Sequence, residues 1–247
     1  MKTYEAFAAY YDGLTDNVDY NALCDRFCQL FSQYGNGGKI VLDLACGTGS
    51  LSILLAEKGF DVVGVDASEE MLSEAMNKSF EFGNPIFLNQ SMQSLDMFGT
   101  IDAAVCTLDS INHLKTKKDV KKAIDRVSLF LNPKGLFLFD VNTLYKHQEI
   151  LGNNTFVYDT DSVYCVWQNN FHKKSGQIDI SLDFFEKQDD GSYLRENECF
   201  SEYYYSDEFL TQTLEENSLK VLCRFDDYSD RNVNEKSQRV LYLCRKE

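Results

Sequence analysis

Apolar positions along this chain alternate between short continuous runs and stretches spaced at three and four residues. Between Asn21 and Tyr34, Leu23, Phe27, Leu30, Phe31 and Tyr34 fall on one helical face. The glycines after Tyr34 end that helix. Lys39 to Ser50, KIVLDLACGTGS, reads as a buried strand tipped by an acid, then a glycine turn, then a helix start. The helix runs to Lys58 with Leu51, Leu54 and Leu55 on one side, and Gly59 suits its C′ position. Strands follow at Asp61 to Val65, Ile86 to Asn89, Ile101 to Cys106 and Leu136 to Val141. Between them lie helices capped by Ser68 and by Thr116, the second reaching Leu131. Strict strand–helix alternation predicts a parallel sheet covered on both faces, with right-handed crossovers.

After Val141 the period changes from helical to two. Thr155 to Tyr205 alternates β-formers with polar residues, as in Val163, Cys165, Trp167 and in Ile178, Ile180, Leu182, Phe184. Lys174-Ser175-Gly176 and Asp189-Asp190-Gly191 are hairpin signals. This predicts a three- or four-stranded antiparallel insert. Ser206 then caps a helix over Asp207 to Glu216, and two strands close the chain near Leu219 to Phe225 and Arg239 to Cys244. The expected division is one α/β domain from 1–142 and 206–247, with a helical lid over 1–35, interrupted by an insert over 143–205. The insert is rich in aromatic residues, among them Phe156, Tyr158, Trp167, Phe184 and Tyr203. It is a candidate acceptor wall or dimer surface, and alternation sends half of those rings to each face.

The chemistry sits at the strand ends. Asp43, Gly47 and Gly49 have the spacing D-x-x-x-G-x-G. Glycine lets a backbone approach a bound nucleoside, and the helix behind it aims free N–H groups at the same place. A second acid, Asp66, tips the next strand and is placed to bind ribose hydroxyls. A dinucleotide-binding turn wants a third glycine, but Ser52 stands there instead. An acid ahead of the turn suits a cationic ligand better than a pyrophosphate.

Length and charge narrow the field. The 247 residues hold one large domain or one domain with an appendage, and 44% hydrophobic content supports a substantial core. A net charge of −15 argues against a nucleic-acid partner. The cluster Lys115, Lys117, Lys118, Lys121 and Lys122 reads as a solvated helix face. No run is long enough to span a membrane, and the polar N-terminus does not read as a secretory signal, so a cytoplasmic protein is expected. Eight cysteines without C-x-x-C spacing read as reduced thiols. Cys24 and Cys28 lie one helical turn apart without a histidine partner, and no metal site is expected.

The ordered motifs DLACGTG (Asp43 to Gly49) and GVDAS (Gly64 to Ser68) with Met71, together with the later strand ends, resemble the class I S-adenosylmethionine-dependent methyltransferases over roughly Val41 to Asp140. The resemblance implies a doubly wound, seven-stranded, mostly parallel Rossmann-like sheet whose last strand is antiparallel, here with a small antiparallel insert. It implies S-adenosyl-L-methionine as cofactor and a small-molecule acceptor methylated on nitrogen or oxygen. Inserts at this point occur in some small-molecule N-methyltransferases, including those acting on amino sugars. By that resemblance Ala45, Cys46, Gly47 and Gly49 face the methionine portion, with Asp43 orienting the turn. Asp66 takes the ribose, Ala67 and Met71 pack on adenine, and Ser91 and Met92 meet its edge. Ser91 departs from the more usual Asp. Cys106 and Leu108 line the sulfonium, while Asp109, Asn112 and His113 lie nearest the acceptor. His113 is either a general base or a loop-bonded histidine. Tyr11, with Tyr10 as its alternative, matches a tyrosine that folds over the site, and Tyr20 and Arg26 are candidates to complete that lid. Two other readings stay open: an NAD-dependent oxidoreductase, and a non-catalytic nucleoside-binding or assembly module, with a homodimer as one use of the insert.

Overall fold

A computed structural model describes residues 11–13, 15, 18–80, 84–160 and 163–247. Helix α1 (Tyr20–Tyr34) leads into β1 (Ile40–Leu44), α2 (Ser50–Glu57), β2 (Asp61–Asp66), α3 (Glu69–Ser79) and β3 (Ile86–Asn89). Then come β4 (Ile101–Cys106), α4 (Lys117–Phe130) and β5 (Leu131–Asn142). The insert follows as β6 (Thr155–Asp159), β7 (Val163–His172), β8 (Gln177–Lys187) and β9 (Tyr193–Tyr203). Helix α5 (Asp207–Glu216), β10 (Leu219–Asp226) and β11 (Arg239–Lys246) return to the main sheet.

Seven strands form one sheet in the order β10-β11-β5-β4-β1-β2-β3. β1 pairs in parallel with β2 on one side and β4 on the other, so the winding reverses between β1 and β4. Only β11 runs against its neighbours, β5 and β10. Consecutive residues feed opposite cores, which is why these strands read as unbroken apolar runs. Leu42, Ala104, Cys106, Phe137 and Phe139 pack under α4 and α5. Val41, Ala103, Val105, Leu136 and Leu138 pack under α1 and α2.

Three predicted caps hold: Ser68, Thr116 and Ser206 each accept a bond from a first-turn N–H. One boundary differs. Strand β5 begins at Leu131, not Leu136, because Asn132 to Gly135 form a bulge against β4 instead of a free turn. Lys134 there has φ 63°. The lysines on and before α4 are all exposed, as a solvated face requires.

The insert is a separate four-stranded antiparallel sheet, β6-β7-β8-β9. One face carries Val163, Cys165, Ile178, Ile180, Leu182 and Phe184, with Phe156, Tyr158 and Trp167 packed against them. Tyr164 and Phe185 meet on the other face, with ring centroids 6.4 Å apart. Between β5 and β6 the chain makes a π-helical turn, Lys146–Leu151, that the periodicity did not announce. It sends Leu151 into the insert's core and buries His147.

Candidate active site

The turn after β1 is held in the left-handed region at Ala45 (φ 60°), Gly47 (φ 54°) and Gly49 (φ 75°). The two glycines do different work. A Cβ on Gly49 would lie 2.9 Å from both the Ala75 Cβ and the Phe87 ring, so this glycine lets the start of α2 pack on α3 and β3. A Cβ on Gly47 would meet nothing within 4 Å, so the space before it is open. Gly47 donates its N–H to Asp66 Oδ2 at 2.9 Å, and Ser68 donates to Asp66 Oδ1 at 2.8 Å. One carboxylate therefore ties the β1 and β2 loops together, and each oxygen keeps acceptor capacity. Burial pushes the Asp66 carboxyl up, against the backbone N–H groups of Ser68 and Gly47 that hold it down.

Asp43 lies beneath the turn, 1% exposed, and accepts from Ser52 Oγ at 2.5 Å. Burial pushes its carboxyl up to about 7, opposed by Ser52 and assisted by Asp66. The unfolded carboxyl titrates near ~3.9. Between those values the folded chain holds a proton that the unfolded chain has lost, so stability falls as pH rises through that window. Urea denaturation at pH 4.5 and pH 7.5 is expected to show a loss on the order of 3–4 kcal/mol from this group. Asp43→Asn should remove most of that difference; an unchanged pH dependence would show that Asp43 is not its source.

Tyr11, Asp43, Ala45, Cys46, Gly47 and Leu108 line one recess, joined by Tyr20, Thr48, Thr107 and Ser110. Asp12, beside Tyr11, straps the N-terminal segment to the glycine turn. It accepts from Thr48 Oγ1 at 2.6 Å and from Lys78 Nζ at 2.8 Å. Burial, then Tyr20 and Asp109, push the Tyr11 hydroxyl well up, so it is a proton donor at neutral pH. Tyr10 lies outside the described residues. Arg26 does not join the lid, because its guanidinium pairs with Asp230 at 2.7 Å and lies over the Phe225 ring.

Other expected residues sit less directly at the recess. Cys106 is fully buried in the core under α4, so it is Leu108 that reaches the opening. Met71 is buried in the first turn of α3. Ala67 is exposed beside Asp66. Ser91 Oγ is 2.8 Å from Ser94 Oγ, and half-buried Met92 packs on the core. Asn112 is fully buried and structural. Its amide donates to the Tyr203 carbonyl and accepts from the Asn142 N–H.

The loop after β4 is fixed by a charged network that patterning did not reveal. Leu108 (φ 55°) and Asp109 (φ 56°) are both left-handed. Asp109 donates its N–H to Asp140 Oδ2 at 2.8 Å, and its carboxylate takes Arg239 at 2.7 Å. Arg239 also lies 3.3 Å from Asp140 and donates to the Tyr228 hydroxyl, which in turn donates to Asp140. Two signals were available: LFLFD (Leu136 to Asp140) places a third acid near the end of a strand, and Arg239 opens the last strand.

Beyond Asp109 the insert closes in. His113 stacks near Phe200, with centroids 5.2 Å apart, and its Nε2 is 4.0 Å from Asp109 Oδ2. Ligand atoms of Asp109, His113 and Glu202 all lie within 4.8 Å of one another. Glu202 comes from β9 and is 3% exposed. Its Oε2 accepts from Asn142 Nδ2 at 2.9 Å and pairs with His147 Nε2 at 3.1 Å. Burial raises this carboxyl, but the His147 bond and the nearby histidines outweigh it and hold it down to about 2.

Such a recess at the winding reversal of a seven-stranded sheet whose last strand is antiparallel defines a class I methyltransferase fold. Residues 41–135 match the methyltransferase domain family. A protein of Geobacillus sp. (strain WCH70) named as a methyltransferase is 34% identical over 99% of this chain and 100% of its own length. A crystal structure of an S-adenosylmethionine-dependent methyltransferase from Clostridium acetobutylicum is 35% identical, with a TM-score of 0.89 over 98% of both chains. A glycine/sarcosine N-methyltransferase of Parasynechococcus marenigrum is 32% identical over 65% of this chain and 57% of its own. The chain belongs to the class I S-adenosylmethionine-dependent methyltransferases, and S-adenosyl-L-methionine is its cofactor. The oxidoreductase and the non-catalytic module are thereby set aside. Among the described residues no helix is long and apolar enough to cross a membrane.

Proposed function

We propose that this methyltransferase acts on a small-molecule acceptor at nitrogen or oxygen, and that the recess beside Gly47 and Asp66 holds the cofactor. The observation that carries this is Asp66, fixed by two backbone N–H groups at the rim of the open space before Gly47. A carboxylate so placed can accept from two adjacent ribose hydroxyls. When bound, S-adenosyl-L-methionine supplies an activated methyl group on sulfur. Tyr11 and Tyr20 cover the methionine end, and Ala45, Cys46 and Gly47 meet it with backbone. Leu108 faces the sulfur, and Asp109 and His113 border the acceptor. The chain's own contribution is alignment, with the acceptor atom held at about 3–3.5 Å from the reacting carbon. A glycine/sarcosine N-methyltransferase among the relatives supports a small acceptor.

Calorimetric titration of the pure protein with S-adenosyl-L-methionine and S-adenosyl-L-homocysteine is expected to give saturable one-site binding, and thermal shift to favour both over NAD. No saturation with either nucleoside would refute the site.

A further inference from the structure

The strand-end acids bind one half of the reaction; the cluster of Asp109, His113 and Glu202 belongs to the other. We propose that these three residues form a seat for an ammonium group, so that the acceptor is an amine, with Asp109 and Glu202 gripping it and His113 taking one of its protons. This rests on the site assignment made above.

Spacing decides the kind of cation. The Asp109–His113 pair is 4.0 Å apart, and no pair of the three exceeds 4.8 Å. An ammonium bonded to three acceptors at about 2.8 Å holds them about 4.6 Å apart by tetrahedral geometry. A metal bonded at about 2.1 Å would draw its ligands to about 3.0–3.4 Å. At 4.0 Å, Asp109 and His113 are too far apart for a direct hydrogen bond and too spread for a metal.

The carboxylates are also presented correctly. Asp109 gives one oxygen, Oδ1, to Arg239, and its other oxygen, Oδ2, faces His113. Glu202 meets Asn142 and His147 through Oε2, and among the described residues no donor reaches Oε1. Each group is thus anchored through one oxygen and offers the other, the arrangement that fixes a binding carboxylate in place. A second observation points the same way. Asn142 is 2% exposed, and among the described residues its Oδ1 has no hydrogen-bond partner. Its amide nitrogen is bonded to Glu202 Oε2, so this orphan acceptor belongs to the same wall. An uncompensated buried acceptor calls for a donor, so this wall is built to meet a further N–H or O–H of the acceptor molecule beyond the three N–H groups of the ammonium.

The chemistry closes on protons. A protonated amine has no lone pair to offer, so one N–H proton must leave first. It passes from the ammonium nitrogen to His113 Nε2, the amine keeps the electron pair, and the imidazolium returns the proton to solvent after turnover. Phe200 beside His113 limits water on that face. Glu202 reaches the cluster from the insert, so the insert helps select the acceptor.

The test uses the full chain saturated with S-adenosyl-L-homocysteine, titrated calorimetrically with two probe pairs: benzylamine against benzyl alcohol, and glucosamine against glucose. At least one amine is expected to bind tenfold or more tighter than its hydroxyl partner. Glu202→Gln should cut that preference below threefold while leaving S-adenosyl-L-homocysteine affinity within twofold. His113→Gln serves the same purpose if Glu202→Gln fails to fold, and should abolish the buffer-dependent proton release that deprotonation of the bound ammonium through His113 gives. Absence of any amine preference, or a preference that survives both variants, overturns the proposal. A Mn2+ titration is the remaining arm. Saturable binding lost in Glu202→Gln, without amine preference, would assign the cluster to a metal and likewise overturn it. If the homocysteine nucleoside itself fails to bind, the cofactor site is wrong and not only this one.

Discussion

Replacing Asp66 with alanine is expected to weaken S-adenosyl-L-homocysteine at least 50-fold. The carboxylate would lose two charge-assisted hydrogen bonds to the ligand, each about 1.5–3 kcal/mol. It would also release the Gly47 N–H that it now holds at 2.9 Å, loosening the turn against which the ligand packs. A 50-fold loss is only about 2.3 kcal/mol, so the expected figure is a lower bound. Asp66→Asn keeps an oxygen for only one of the Gly47 and Ser68 N–H groups and carries no charge, so it removes part of each effect. It should fall between the wild type and alanine. Isothermal calorimetry at fixed pH and salt makes the comparison, and an alanine variant within twofold of wild type would remove Asp66 from the site.

The second large effect concerns stability. Arg239→Met should destabilise the protein by about 3–5 kcal/mol, the usual result of leaving a buried carboxylate without its partner. Asp140 is fully buried, and Asp109 is 17% exposed at the side chain. Burial already pushes the Asp140 carboxyl up, and Arg239 is the charge that opposes it. Without Arg239, Asp140 would rise further and take a proton at low pH. The variant's deficit should therefore be larger at pH 8 than at pH 5, read by urea denaturation. Adding Asp140→Asn to Arg239→Met should recover much of the loss at pH 8. An equal deficit at both pH values would mean that packing, not charge, is what Arg239 supplies.

Most of the fold was legible because each element carried a local cause. The strand–helix alternation, the caps at Ser68, Thr116 and Ser206, and the hairpin turns at 174–176 and 189–191 all act within a few residues. The bulge at Asn132 to Gly135 was missed because its cause is not local: it depends on the register with β4. The π-helical turn at Lys146–Leu151 fails for the same reason, since its determinants are Leu151 in the insert and His147 against Glu202. The recess residues from Asp43 to Gly47 followed from motif spacing at the end of β1. In the other half Asp109 and His113 were named from the end of β4, but their partners Asp140, Tyr228 and Arg239 were not, because these come from separate stretches that only the sheet order brings together. Arg26 was misplaced by a similar route. A cation near the N-terminus was easy to picture at the lid, yet α1 turns it toward Asp230.

The insert leaves the sheet after β5 and rejoins it at α5, so both of its attachment points lie on the strand edge that borders the reaction chamber. Evolution can therefore treat that segment as an exchangeable cassette. On the proposed ammonium seat, substitutions along the face of β9 that bears Phe200 and Glu202 are expected to retune which metabolite is accepted, while the nucleoside half, built from β1 and β2, is left undisturbed.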